Sequence, residues 1–209
     1  MFPTPVNRSW RGALLFILLL AAFQQLGSAA WIEAKAHFAQ FLIADAWEEV
    51  MASNGAIQKP WPWADTWPVA RLEVPRHRVD LFVLAGASGN SLAFGPGHNT
   101  ASASPGQRGV TVIGGHRDTH FEFLRYVKPN TLLSLQLPSG ERKAYQVNTV
   151  RVVDTDKEPS VNLNSEVNEL LLITCYPFDA LRAGGPLRYV VTARPVLNMN
   201  ESQQAAFDL

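Results

Sequence analysis

The chain divides by the rhythm of its apolar positions. From Gly12 to Ile32 there is no charged residue at all, and Arg8 and Arg11 stand just before this stretch. As a helix these residues span about 31 Å, close to the hydrocarbon thickness of a bilayer. The basic flank belongs on the cytoplasmic side and sends the remainder outward. Residues 1–32 therefore read as a membrane anchor, with a cleaved signal segment as the rival, since Ser28-Ala29-Ala30 is a small-residue cleavage site. From Glu33 to Ala52, Phe38, Phe41, Leu42 and Val50 recur at helical spacing among Glu33, Lys35, Asp45, Glu48 and Glu49. This predicts an amphipathic juxtamembrane helix within residues 33–58, stopped at Asn54-Gly55.

Residues 59–68 break the pattern. Lys59-Pro60-Trp61-Pro62-Trp63 and Trp67-Pro68 carry too many prolines for a helix or a central strand. All six tryptophans lie at or before Trp67. The segment reads as an extended linker whose rings pack on the domain or sit at the membrane interface. A carbohydrate-stacking platform is the alternative.

From Val69 the period shortens to that of strands. Ala70, Leu72 and Val74 alternate with Arg71 and Glu73, and further short runs cover Val79–Leu84, Val110–Ile113, Thr131–Leu137, Tyr145–Val153, Leu170–Thr174 and Tyr189–Ala193. Pro138-Ser139-Gly140 predicts a hairpin turn, and only Phe121–Val127 looks locally helical. Seven or so short strands with few helices predict a mainly β sandwich or closed barrel over residues 69–195, followed by a tail at 196–209.

Composition narrows the function classes. Eighteen basic and eighteen acidic residues cancel, so nothing in the global field calls for nucleic acid. A single cysteine, Cys175, rules out an internal disulfide. It ends the apolar run Leu170–Thr174, and Tyr176-Pro177 breaks that run, so the thiol sits at a strand end. One role for it is that of a small buried hydrophobe. The other is a nucleophile, favoured by an extracytoplasmic setting in which an unused free thiol invites oxidation.

A nucleophilic thiol needs a proton partner. Among the five histidines, His37 falls on the juxtamembrane helix, and His77 and His98 near turns. His116 follows a strand and Gly114-Gly115, whose small size leaves room beside the ring. Its alternative is an ordinary turn histidine. His116 and His120 also stand at i and i+4, a zinc-helix spacing, but the metalloprotease glutamate is missing and the glycines oppose a helix. Asp118 either orients His116 or caps its loop. Arg188 opens the strand after Cys175 and offers an undissociable donor to a substrate carbonyl or an oxyanion. Its alternative is an ordinary strand-edge arginine, and Arg182 competes from the loop Phe178–Pro186.

These strings carry a family resemblance. Thr174-Cys175-Tyr176-Pro177, Arg188 downstream and Gly114-Gly115-His116-Arg117 upstream resemble the sortases. Pro60-Trp61-Pro62-Trp63-Ala64-Asp65, His116-Arg117-Asp118-Thr119-His120-Phe121, Thr174–Phe178 and Gly184–Tyr189 resemble the proteobacterial class GN sortases in particular. The likeness covers residues 60 to 194. It implies an eight-stranded barrel, with Leu92–Phe94 as a candidate for the strand missing from the count above. It implies cleavage of a secreted target between Thr and Gly of an LPXTG-like C-terminal signal, through a thioester on Cys175, and transfer to an amine acceptor. Cys175, His116 and Arg188 would be catalytic, and Thr174 and Tyr176 would line the groove. No cofactor and no metal ligand is called for. The location implied is the periplasmic face of an inner membrane. Two alternatives stay open: a cysteine peptidase with water as acceptor, and a non-catalytic tethered β-domain that binds glycan.

Overall fold

A computed structural model of the protein describes residues 8–87, 89, 91–158, 161, 163, 167–180, 184–196 and 207. Arg182 and most of the 196–209 tail lie outside the described residues. The chain falls into two units, residues 1–41 and 42–209. Helix α1 runs over Arg8–Ala52, a stretch with no proline and, after Gly27, no glycine before Gly55. It is long and apolar enough to cross a membrane, with a mean hydropathy of 1.9 in its most apolar stretch. It ends in a left-handed turn at Asn54 (φ 54°) and Gly55 (φ 94°). There Gly55 N–H reaches Val50 C=O at 2.8 Å and Asn54 N–H reaches Met51 C=O at 3.2 Å.

The buried stripe of the last helical turns is Ile43, Ala46, Trp47 and Val50, spaced i, i+3, i+4, i+7. This corrects the face expected from the sequence, since Phe38 and Phe41 are exposed. The following segment is not a free linker. Pro60 and Ala64 are buried, Thr66 Oγ1 donates to Ala85 C=O at 2.7 Å, and Trp61 packs edge-on against Phe94 at 5.2 Å. Trp63 stays exposed.

Eight strands follow: β1 (Pro68–Val74), β2 (Val79–Ala85), β3 (Gly97–His98), β4 (Val110–Gly114), β5 (Leu132–Gln136), β6 (Arg142–Asp154), β7 (Glu169–Cys175) and β8 (Leu187–Pro195). They close into a barrel in the order β1-β2-β3-β4-β7-β8-β6-β5. The strand missing from the sequence reading is β3. Leu92–Phe94 instead belongs to a single helical turn, α2 (Ser91–Phe94). Only glycine fits at position 97, where a Cβ would lie 2.1 Å from the Gly86 carbonyl oxygen. The β5–β6 hairpin turns at Gly140 (φ 83°), and a 3₁₀ turn spans Glu122–Tyr126.

Two apolar layers result. Leu72, Val83, Ile113, Leu133, Val147, Leu170, Leu172 and Val191 fill the barrel interior. The opposite faces of β4, β7, β8 and β6 carry a second cluster of Val110, Val112, Leu171, Val190 and Val153, joined by Ile173 and Val161. β4 and β7 are therefore apolar on both faces, and β8 and β6 add one residue each, Val190 and Val153, to the outer layer.

Candidate active site

Cys175 is the last residue of β7, and Arg188 is the second of β8. These antiparallel strands pair Cys175 directly with Arg188. The next pair out, Tyr176 with Leu187, holds a ladder bond from Tyr176 N–H to Leu187 C=O at 3.0 Å. Cys175 and Arg188 thus occupy a non-hydrogen-bonded position, the closer of the two types, with Cα atoms about 4.5 Å apart.

β4 runs parallel to β7 on its other side, with Gly114 opposite Ile173. The ladder continues past the last assigned pair. Gly115 N–H bonds Ile173 C=O at 3.1 Å, and Thr174 Oγ1 donates to Gly115 C=O at 2.7 Å. His116 follows, so its backbone leaves β4 at the level where Cys175 leaves β7.

Alternation fixes the faces. Leu170 and Leu172 point into the barrel, and Leu171 and Ile173 point outward. Cys175 shares the outward side with Ile173, and Arg188 shares it as the cross-strand partner of Cys175. In β4 Ile113 points inward and Val112 outward. The pairing therefore puts Cys175 and Arg188 on one face, and the chain leaves β4 for His116 at the same rim. His116 is exposed and Cys175 half-buried.

Thr174 takes a different place from the one expected. It is 2 % exposed, faces the interior and hydrogen-bonds to Gly115. Its hydroxyl ties the two strands that carry the site and does not line the outer face. Tyr176 lies beside Tyr189 in a stack at 6.0 Å, with Phe178 edge-on to both. Burial, and secondarily the charge of the neighbouring Tyr176 hydroxyl group, raises the pKa of Tyr189.

Gly115 has a steric reason to be glycine. A Cβ there would lie 2.7 Å from Cγ of Phe121, a fully buried core ring. At Gly114 a Cβ would meet only Ala87 Cβ, at 3.7 Å. After His116 the chain makes a turn closed by Phe121 N–H to His116 C=O at 3.0 Å. His116 and His120 thus lack the helical face that a zinc pair at this spacing requires. Burial, and then the neighbouring His116, lowers the pKa of His120. Asp118 is exposed and makes no hydrogen bond among the described residues, so neither role expected for it is seen.

Arg188 Nη1 donates to the carbonyls of Gly185 at 2.6 Å and Leu187 at 2.9 Å. These bonds brace the guanidinium across the opening of β8, with Nε and Nη2 uncommitted among the described residues. A contact invisible to sequence reasoning is Arg117 Nη2 to Ala180 C=O at 2.7 Å. Two concave sites of about 380 and 400 Å³ lie elsewhere, around Trp67–His98–Leu137 and Arg142–Tyr145–Asn168. Cys175, His116 and Arg188 line neither of them.

A family model described as "Sortase domain" matches residues 72–196. Sortase D of Bacillus subtilis (strain 168) is 34 % identical over 125 residues, which make up 60 % of this chain and 62 % of that protein. The chain thus aligns with less than two thirds of that relative's length. Among solved structures, sortase A from Corynebacterium diphtheriae superposes with a TM-score of 0.58 at 26 % identity, covering 68 % of this chain and 66 % of the other. A Clostridium perfringens sortase D5 transpeptidase gives 0.57 at 20 % identity, covering 71 % and 88 %, and speaks to the fold alone.

Proposed function

Because the chain belongs to the sortase family, we propose that it is a membrane-anchored cysteine transpeptidase acting on a secreted protein with an LPXTG-like C-terminal signal. The observation that carries the reading is the ladder at the barrel rim. Cys175 pairs with Arg188 on one side, and His116 leaves the strand that runs parallel on the other.

The chemistry follows from that placement. The Cys175 thiolate attacks the Thr carbonyl carbon of the signal, and the carbonyl electrons move onto oxygen. Arg188, whose Nε and Nη2 make no hydrogen bond among the described residues, stabilises this oxyanion by charge-assisted bonds. Collapse breaks the Thr–Gly amide, and protonated His116 delivers its proton to the leaving nitrogen. An amine acceptor, deprotonated by neutral His116, then attacks the thioester. It forms the new amide and returns the thiolate.

Half-buried Ile173, at the edge of the buried outer cluster of Val110, Val112, Leu171 and Val190, precedes Cys175 by two residues on the same face and offers an apolar contact to the non-polar residues of the signal. Tyr176 supports the site from its stack with Tyr189. The His116–Phe121 and Thr174–Phe178 strings support assignment to the class GN sortases. Arg8 and Arg11 before the apolar half of α1 support a single-pass inner-membrane protein with its barrel on the periplasmic side.

The test is direct. Full-length protein in detergent is mixed with an LPXTG peptide and examined by intact-mass spectrometry. The expected species is the chain plus the acyl half of the peptide, absent from Cys175→Ala. Addition of a primary amine should yield ligated peptide. Free acid as the sole product, whatever the amine, would show a peptidase and refute transfer.

A further inference from the structure

The chain leaving β7 is held by the same segment that carries His116. Arg117 Nη2 donates to Ala180 C=O at 2.7 Å, joining residues 63 positions apart. Arg125 lies 5.1 Å over the Phe178 ring, which is edge-on to Tyr189 at 5.0 Å. Between these two anchors the chain turns, with Ala180 N–H directed at Pro177 C=O at 3.4 Å. On the facing side His116 is exposed, and its side chain makes no hydrogen bond among the described residues. Nothing seen there holds the imidazole by its own contacts. Its position follows from its backbone, and the residue after it is Arg117.

We propose that Arg117 is a positioning residue for acyl transfer. By bonding the Ala180 carbonyl it fastens the turn bearing His116 to the loop leaving Cys175, and so sets the separation of imidazole and thiol. This rests on the reading of Cys175 and His116 as the reacting pair. A guanidinium–carbonyl bond is charge-assisted and roughly twice as strong as a neutral one. Arg117 belongs to neither apolar cluster, so its loss should spare the barrel. The inner tie, Thr174 to Gly115, fixes where β4 and β7 end. The Arg117 bond fixes the two chains after they have left the sheet, where no ladder constrains them.

Cys175 is the sole thiol, so its alkylation by iodoacetamide in full-length protein at pH 7, without peptide, reports its surroundings cleanly. The rate is measured in the parent, R117A, H116A and the double variant. If Arg117 acts through His116, R117A changes the rate by at least about threefold in the parent and by less than about 1.5-fold in the H116A background. In peptide turnover, R117A should lower kcat about 10- to 100-fold with KM within about twofold. Tm should stay within about 2 °C, and R117K, which keeps a cationic donor, should recover part of the loss. Equal R117A effects in both backgrounds, no effect in either, or activity lost only in step with Tm would each overturn the proposal. Coupled alkylation in a parent that forms no thioester would instead refute the sortase reading and leave the positioning role standing.

Discussion

The tightest steric constraint at the rim is Gly115, and replacing it with alanine gives the sharpest test of how the fold serves the site. A Cβ at 115 would lie 2.7, 2.8 and 3.1 Å from Cγ, Cδ2 and Cδ1 of Phe121. Carbon atoms in contact prefer about 3.5–4.0 Å, so something must move by about 1 Å. Phe121 is fully buried and packs edge-on to Phe123 at 5.9 Å, which leaves it little room. The other side of the clash is the backbone that leads into His116. Overpacking of this kind costs about 1–3 kcal/mol. At about 2–4 °C per kcal/mol for a domain of this size, Tm should drop by about 2–12 °C. Insofar as the backbone yields, His116 shifts by a similar distance, and such a misplacement costs about 100-fold in rate.

The assay is transpeptidation by full-length protein at saturating peptide, alongside thermal unfolding followed by circular dichroism. Two further variants make the result decisive. Gly114→Ala should leave Tm nearly unchanged, because its Cβ meets only Ala87 at 3.7 Å. Adding Phe121→Leu to Gly115→Ala removes the opposing ring and should recover part of both losses, the signature of coupled neighbours. If Gly115→Ala matches the parent in both Tm and rate, or if Gly114→Ala is equally destabilising, the argument from Phe121 is wrong.

Other outcomes follow from single features. Arg188→Lys keeps the charge but loses the planar fork, so kcat should fall about 100- to 1000-fold with little change in KM, and turnover like the parent's would remove Arg188 from the reaction. Ile173→Ala trims the half-buried floor two residues before Cys175; losing about 1 kcal/mol of ground-state contact should raise KM about fivefold at constant kcat, and an unaltered KM would show that the signal binds elsewhere. Burial lowers the pKa of His98, and of His77 as well. The unfolded chain therefore takes up protons first, and stability should decline as pH falls below about 6.5, levelling off below the folded-state values. A Tm that stays flat or rises between pH 7.5 and 5.5 would contradict this, and His98→Gln should flatten part of the slope.

What could be read from the sequence was where elements stop. Pro177 ends the run before Cys175 and Gly114-Gly115 ends the run before His116, because proline lacks a ladder donor and glycine leaves the strand unsupported. Such breaks made Cys175, His116 and Arg188 candidates beside their ordinary alternatives, and the likeness of the surrounding strings to the sortases is what singled them out. Direction was a different matter. Leu170–Ile173 shows no alternation because β7 is buried on both faces, inside against the barrel core and outside against Val112 and Val190. With no polar position to mark the solvent side, nothing in the run says that Thr174 turns inward and Cys175 outward. That parity is set by neighbours 59 residues upstream in β4, through the pairing of Gly114 with Ile173. The same blindness hid β3, two residues long, and the Arg117–Ala180 bond. A strand apolar on both faces conceals its orientation for the same reason that it suits a site of this kind. The buried inner face holds the backbone still, and the outer face opens only toward its end, at half-buried Ile173 and Cys175.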